Sequence, residues 1–282
     1  MKQEKIILYG LGCSGKSSSI ATLFKLRDSC PNLRVIFLCT ERNALSGLEW
    51  GLKHYKIKLE ENQLITCVIR NNKKKAFTNE LRALTTYSKQ SSSESQKNDK
   101  NGNMNKDKYT DFANIISGLT TFKGIDYVTK KEVTLGNVGD LEFEDILVID
   151  GLTPIMLAIW ESVKGDRVGG VMADYQVVQY WLKRFTKNLI DIDASVILLA
   201  HADRIYDEIS KEDKIRIGLD AGTALAGKYS GSWGDVIYAY QAPSGQRYWA
   251  GKKVGVETAV RNFEEKDKLE PNFSLYNFFK EN

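Results

Sequence analysis

Residues 5–18 read KIILYGLGCSGKSS, and this stretch decides the fold. Its first part, Lys5 to Tyr9, is a short apolar run that predicts a buried β-strand, and Ser17 to Asp28 space their apolar residues as a helix does. Between the two, Gly10 to Ser17 match the pattern G-x-x-x-x-G-K-[ST] in full, in the strand–loop–helix context that the pattern requires. Such a loop turns successive backbone N–H groups toward one point, which suits it to binding phosphate groups.

The loop predicts a site for ATP and Mg²⁺. Lys16 is expected to reach the β- and γ-phosphates, and the hydroxyl of Ser17 is expected to ligate Mg²⁺. A chance match on a glycine-rich turn is the alternative, and the neighbouring strand and helix disfavour it. The predicted nucleotide-binding residues are Gly10, Leu11, Gly12, Cys13, Ser14, Gly15, Lys16, Ser17 and Ser18.

A second apolar strand, DILVID at residues 145–150, ends in an acidic residue. The carboxylate of Asp150 is predicted to hold Mg²⁺ directly or through water. The alternative is that Asp150 caps the helix that follows it. The phosphate loop upstream favours the metal role.

Nucleotide hydrolysis also needs a group that orients the attacking water. Many phosphate-loop ATPases place a Glu directly after the metal-binding Asp, but here that position is Gly151. Glu41 follows a predicted buried strand at residues 34–40 and is the best candidate, because ligands of open α/β sheets bind at the carboxyl ends of strands. His201 follows the strand SVILLA at residues 195–200 and is a candidate sensor of the γ-phosphate. The alternatives are a solvated Glu and a His bonded to the backbone.

The whole chain predicts an α/β fold. Helices alternate with near-continuous apolar strands, which indicates a mainly parallel sheet with helices on both faces. We expect one domain over residues 1–282, mostly β after residue 200, with an insertion at about 88–108 whose Ser, Asn and Lys content predicts disorder. Further predicted elements are helices at 44–55, 76–89, 155–163 and 174–190, strands at 63–70, 236–241, 246–250 and 258–262, and a hairpin at 127–137.

Composition excludes several classes of protein. Hydrophobic residues make up 42% and charged residues 27%, as in ordinary globular domains, and no apolar run reaches the roughly 18 residues of a membrane helix. Four cysteines require no oxidising compartment, so we expect a cytoplasmic protein without a membrane partner. The net charge of +4 is uneven: residues 1–69 carry +4, residues 70–108 carry +6 and the remainder carries −6. Any electrostatic contact with nucleic acid is therefore expected to be local.

These motifs together resemble the RecA-like ATPases. The order and content of four motifs are most similar to those of the phage nucleotide-binding proteins, which include the Sak-type single-strand annealing ATPases. The motifs are the phosphate loop, Glu41 after the second strand, ILVID ending at Asp150, and VILLAHAD at residues 196–203. The closing stretches at residues 224–228, 233–238, 260–263 and 269–272 are similar to the ends of those proteins. The resemblance covers most of the chain except residues 88–108.

The resemblance implies a RecA-like core, ATP with Mg²⁺, and a homo-oligomeric ring or filament in which a neighbour completes the active site. It gives Glu41 the water-activating role and His201 the sensor position. Candidates for a trans-acting charge are Arg261, Lys228, Lys252 and Lys253. Two loops of such proteins often face DNA, and the matching stretches here are Lys164 to Met172 and Asp203 to Gly218, with Arg167, Arg204 and Tyr206 as candidate DNA contacts.

The leading hypothesis is a phage-type ATPase acting in DNA recombination or single-strand annealing, located in the host cytoplasm and contacting single-stranded DNA or other phage proteins. A second hypothesis is a phage assembly or packaging ATPase, or a virion component, whose nucleotide site serves a protein interaction. A small-molecule kinase is a third reading, weakened because the sequence has no arginine-rich lid.

Overall fold

The structure is a computed structural model. It describes residues 1–39, 44–68, 121–153, 155–156, 160, 163, 171–207, 211–218, 230–251, 256–259 and 274–280. The predicted helix at 76–89 and the predicted insertion at about 88–108 lie outside the described residues. No helix in the described part of the chain is long and apolar enough to cross a membrane.

In the described part of the chain, ten strands form the sheet and helical segments lie between some of them. The strands are β1 (Lys5–Gly10), β2 (Arg34–Cys39), β3 (Leu64–Val68), β4 (Phe122–Asp126), β5 (Glu132–Gly136), β6 (Asp145–Asp150), β7 (Ser195–Asp207), β8 (Glu212–Ile217), β9 (Asp235–Gln241) and β10 (Arg247–Ala250). The α-helices with defined bounds are α1 (Lys16–Ser19), α2 (Ala44–His54), α3 (Met172–Asp191) and α4 (Tyr276–Phe279). The 3₁₀ segments are Ile20–Asp28, Val138–Asp140 and Ser230–Ser232.

The strand order is β10-β9-β1-β7-β6-β2-β3-β4-β5, with β8 paired to β7. The six strands from β9 to β3 run parallel, and antiparallel pairs extend the sheet at both ends. This confirms the predicted α/β class with a mainly parallel sheet. Because parallel strands share one direction, the carboxyl ends of β1, β6 and β7 meet at the same edge.

Helices cover both faces of the sheet, as predicted. Alternate residues of β1 show the division, because Ile7 belongs to one apolar cluster and Ile6 to the other. The first cluster receives side chains of α3 and of the helical residues Leu152, Ile155 and Met156, and the second receives those of the 3₁₀ segment Ile20–Asp28, α2 and α4. Strands buried on both faces explain why the apolar runs in the sequence are nearly continuous.

Three segments differ from the sequence prediction. The predicted helix at 17–28 is α-helical only through Ser19 and continues as a 3₁₀ helix. The predicted strand at 258–262 shows only isolated bridges of Val256 and Ala259 in its neighbourhood, and residues from 260 lie outside the described part. The stretch at 203–218, expected as a loop, forms an antiparallel ribbon of β7 and β8 from Ala202 paired with Ile217 to Asp207 paired with Glu212. Residues 203–218 contain many charged residues of both signs, which is why the sequence resembled a solvated loop.

The hairpin of β4 and β5, predicted around residues 127–137, turns on one carboxylate. The side chain of Asp126 is buried and accepts hydrogen bonds from the backbone N–H groups of Asn62, Val128 and Thr129 at 2.6–3.0 Å and from the Thr129 hydroxyl at 2.9 Å. Burial alone would raise the pKa of Asp126, but these hydrogen bonds lower it below its ordinary value of 3.8. The ionised carboxylate therefore fixes the turn between the two strands and ties it to the segment before β3.

We expect Asp126→Asn to destabilise the fold by about 1–3 kcal/mol at neutral pH, because a neutral amide replaces an ionised acceptor of four hydrogen bonds. Since the folded pKa is depressed, the contribution of Asp126 is fully present above pH 3.8 and is lost as the pH falls through the folded pKa. Urea unfolding of the wild type and the variant should show a difference that shrinks below pH 4. The matched control is Asp191→Asn at an exposed site, and a constant Asp126→Asn effect from pH 7 to pH 3 would contradict the assignment.

Candidate nucleotide-binding site

The phosphate loop begins where β1 passes close to β9. A methyl group at Gly10 would collide with the carbonyl oxygen of Ala239, so only glycine fits at the end of β1. Farther along, Cys13 and Gly15 have φ angles of 62° and 90°, in the left-handed region that the curled backbone requires. Cys13 is exposed at this turn of the loop.

The side chain of Lys16 is buried against the loop that it follows. Its ammonium group donates to the carbonyl oxygens of Gly10 at 2.9 Å and Leu11 at 3.0 Å, and to the hydroxyl of Ser14 at 3.2 Å. Three acceptors from the loop thus fix the one side-chain cation of the motif at the wall of the cleft. Of the nine predicted nucleotide-binding residues, those from Gly12 to Ser18 line this cleft, and Gly10 and Leu11 instead supply carbonyls to Lys16.

The two predicted Mg²⁺ ligands are in contact. The Ser17 hydroxyl donates to the Asp150 carboxylate at 2.7 Å, although the residues are 133 positions apart. Asp150 is buried at the carboxyl end of β6, and α1 carries Ser17 to it. A hydroxyl and a carboxylate fit Mg²⁺, which prefers oxygen ligands and usually takes one or two from the protein and the rest from phosphates and water.

Two neighbours of Asp150, Cys39 and Gly151, carry no charge. Cys39 is its partner in the pairing of β2 with β6, and burial, followed by the nearby Asp150 charge, raises the pKa of the Cys39 thiol. That thiol therefore stays protonated at physiological pH. Gly151 follows Asp150 with a φ of 113°, a conformation that a side chain such as Glu would adopt only with strain.

The cleft has a volume of about 380 Å³ and opens at the carboxyl edge of the parallel strands. His201 lies opposite Gly10 in the pairing of β7 with β1 and is half-buried at the wall, where the sequence had placed it as a candidate sensor. The lining residues are Gly12, Cys13, Ser14, Gly15, Lys16, Ser17, Ser18, Gly47, Trp50, Asp150, Gly151, Leu199, Ala200, His201 and Arg247.

Helix α2 packs closely on α1 through two glycines. A Cβ atom at Gly47 would lie 3.0 Å from Cβ of Ser17, and one at Gly51 would collide with the Ser18 carbonyl oxygen. The two glycines are four residues apart and therefore lie on one face of the helix. Their contact brings Trp50 to the rim of the cleft.

Of the cleft residues that sequence reasoning missed, Trp50 and Arg247 have the largest side chains. The Arg247 guanidinium lies 5.0 Å from the centroid of the Trp50 ring, and the His54 ring stacks on that indole at 4.6 Å with an interplanar angle of 11°. Trp50 is 46% exposed, a high value for this residue type. The Gly47–Gly51 spacing was a signal for close packing of α2, but nothing in the sequence connects β10 with that helix.

Several predicted site residues do not enter this cleft or cannot be placed. Arg204 and Tyr206 lie on the exposed ribbon of β7 and β8, and Tyr206 is 58% exposed. The candidates that lie outside the described residues are Glu41, Arg167, Lys228, Lys252, Lys253 and Arg261.

No protein-family model and no curated protein matches the sequence. Among solved structures, the chain aligns with a KaiC-like protein from the hyperthermophilic archaeon Pyrococcus horikoshii OT3. The alignment covers 92% of this chain and 82% of the other, with 13% sequence identity and a TM-score of 0.37. The α/β class follows from the strand order and pairing of this chain itself.

We expect Arg247→Ala to weaken binding of ATP with Mg²⁺ by about 10-fold or more, because a charge-assisted hydrogen bond contributes roughly 1.5–3 kcal/mol. Calorimetric titration of the two proteins with ATP measures the change. Trp50→Ala should reproduce part of the loss, since it removes the ring on which the guanidinium rests. Arg204→Ala, which removes an exposed arginine from the ribbon, is the control, and equal affinities of Arg247→Ala and Arg204→Ala would exclude Arg247 from the nucleotide site.

Proposed function

We propose that the protein is a Mg²⁺-dependent RecA-like ATPase. The observation that carries the proposal is the 2.7 Å hydrogen bond between Ser17 and Asp150, which joins a complete phosphate-loop motif to the acidic end of a neighbouring parallel strand. Lys16 at the wall of the same cleft supplies the positive charge that a triphosphate requires. The sequence resemblance to the RecA-like ATPases points to the same class.

Each side chain has a role in this proposal. The backbone of the loop binds the β-phosphate, and Lys16 moves from its loop carbonyls to the β- and γ-phosphate oxygens. Ser17 and Asp150 would hold Mg²⁺, and the ion would supply positive charge that stabilises the phosphates during transfer. His201 contacts the γ-phosphate and senses its loss, and Arg247 with Trp50 contacts the part of the nucleotide that lies at the rim.

Glu41 is proposed to orient the attacking water. Although Glu41 itself lies outside the described residues, β2 ends at Cys39, which is the pairing partner of Asp150. The last described residue of β2 therefore lies beside the proposed metal ligand, two residues before Glu41 in the sequence. The strained φ that a Glu at position 151 would need supports a water-activating residue from a different strand.

We propose that the ATPase acts in single-strand annealing or recombination in the host cytoplasm. It would act there as a ring or filament of identical subunits. The resemblance to Sak-type proteins supports it, together with the positive charge of residues 1–108. In that assembly Arg261, Lys228, Lys252 or Lys253 would supply a charge to the neighbouring site. ATP turnover that single-stranded DNA does not change would instead favour an assembly or packaging ATPase, and phosphoryl transfer to nucleosides would favour a kinase.

Lys16→Ala should reduce the kcat/KM of ATP hydrolysis by about 100-fold or more, because the motif loses the one side-chain charge that meets the γ-phosphate. Phosphate release with ATP and Mg²⁺, measured with and without single-stranded DNA, is the assay. Lys25→Ala is the control, since Lys25 is exposed on the 3₁₀ segment that follows α1. Wild-type protein without ATPase activity, or full activity of Lys16→Ala, would contradict the proposed function.

Glu41→Gln should lower kcat by about 100-fold while leaving the affinity for ATP unchanged, because a group that orients water acts after the nucleotide has bound. Calorimetric binding and single-turnover hydrolysis separate the two quantities. Glu49→Gln on the exposed side of α2 serves as the matched control. Equal loss of binding and turnover in Glu41→Gln would rule out the water-orienting role.

A further inference from the structure

A second groove lies on the far part of α2, next to the turn between β4 and β5. It has a volume of about 590 Å³. Its walls come from the end of α2, the segment that follows the helix, and the hairpin turn fixed by Asp126. The residues that matter for its chemistry are Leu52, Lys53, Lys56, Lys58, Tyr127 and Val128.

Unpaired positive charge lines this groove. Lys53, Lys56 and Lys58 are exposed, and within the described residues their ammonium groups make no hydrogen bond or ion pair. Lys130 adds a fourth ammonium at the edge, held 4.0 Å from the centroid of the Tyr127 ring. Both Lys56 and Lys130 have positive φ angles, 54° and 59°, so each sits at a tight turn of the backbone.

The nearby carboxylates are mostly engaged. Asp126 accepts the four hydrogen bonds of the hairpin turn, Glu49 accepts from the Tyr127 hydroxyl at 3.3 Å, and Glu60 lies 3.7 Å from Arg27. Glu61 is exposed beside the segment and has no such partner among the described residues. Hydrogen bonds from neutral donors leave the negative charges of Asp126 and Glu49 in place, whereas Arg27 offsets the charge of Glu60. The four lysine ammonium groups therefore outnumber the three remaining carboxylates, and the groove carries a small net positive charge.

The floor between the lysines is apolar. Leu52 is buried there, Ile57 and Leu59 are half-buried, and Val128 is 45% exposed. A ligand that fits both the lysines and the apolar floor combines a chain of negative charges with flat apolar surfaces. A single-stranded polynucleotide has both, because its phosphates are regularly spaced and its bases are unpaired, whereas a duplex buries the faces of its bases.

We propose that this groove binds single-stranded nucleic acid, with phosphates on Lys53, Lys56, Lys58 and Lys130 and bases against Val128 and the apolar floor. The site is separate from the ribbon of β7 and β8, whose mixed charges suit phosphates poorly. It rests on the proposed annealing role, for which it assigns the surface that holds the strand, and binding at the groove requires no ATP.

Fluorescence anisotropy with a labelled oligothymidylate of about 20 nucleotides tests the proposal over a series of salt concentrations. The triple variant Lys53→Gln, Lys56→Gln, Lys58→Gln should bind about 10-fold or more weakly. Its log–log salt slope should be smaller by about 2, since each phosphate contact on a single strand contributes roughly 0.7. The control Lys2→Gln, Lys183→Gln, Lys187→Gln removes the same charge from exposed sites elsewhere and should bind like the wild type.

A second variant tests the apolar floor. Val128→Ser should weaken oligothymidylate binding while leaving the salt slope unchanged, because it alters base contacts and no phosphate contact. Oligouridylate in parallel distinguishes DNA from RNA as the source of the strand. Basal ATPase activity in every variant separates this proposal from the proposed function: loss of strand binding with unchanged ATP turnover supports the groove.

Three results would overturn the proposal. One is equal affinity of the two lysine triple variants for oligothymidylate. Another is a preference for duplex DNA of the same length, which would leave the apolar floor without a role. The third is tighter binding to vesicles of phosphatidylglycerol than to the oligonucleotide, which would assign the groove to a lipid surface.

Discussion

The close approach of β9 to β1 at Gly10 is the constraint on which the rest of the site depends. Because no side chain fits between Gly10 and the Ala239 carbonyl, the end of β1 stays in the sheet and the chain turns sharply into the phosphate loop. β7 pairs with the other side of β1 and places His201 opposite Gly10, and β6 pairs with β7 and brings Asp150 to the same edge. β1 and β6 end at this edge, whereas β7 continues past His201 to Asp207, and the four-residue helix after the loop places Ser17 within hydrogen-bond distance of Asp150.

Helix α2 connects the cleft with the lysine-lined groove. Its glycine face, Gly47 and Gly51, packs on α1 and leaves Trp50 at the rim of the nucleotide site, while Leu52 and Lys53 on another face reach the groove. The rings of Trp50 and His54 stack between the two regions. A helix so tightly packed against the phosphate-loop helix cannot shift at one end without changing contacts at the other. The nucleotide cleft and the lysine-lined groove therefore share helix α2 as a common wall.

Local signals explain what could be predicted from the sequence. The phosphate loop depends on eight consecutive residues, and strands such as DILVID and SVILLA are buried on both faces, so their apolar runs are unmistakable. Arg247 escaped prediction because its contact with Trp50 joins residues almost 200 positions apart that share no motif. The extension of β7 into a ribbon was missed because many charged residues of both signs make residues 203–218 resemble a solvated loop. The role of Glu41 remains a prediction, supported by the register of Cys39 with Asp150.

Charge counting along the sequence also gave an incomplete picture of where a polyanion would bind. The net charge of +4 on residues 1–69 does not distinguish lysines that are neutralised from lysines that are free. In the folded chain Glu60 pairs with Arg27, whereas the ammonium groups of Lys53, Lys56 and Lys58 have no partner among the described residues. The fold therefore leaves a small local excess of positive charge at the groove. Lys130, from a distant part of the sequence, joins it because Asp126 fixes the turn that carries Tyr127. The position of such a binding surface depends on which charged side chains the fold leaves unpaired. Composition alone therefore cannot locate it.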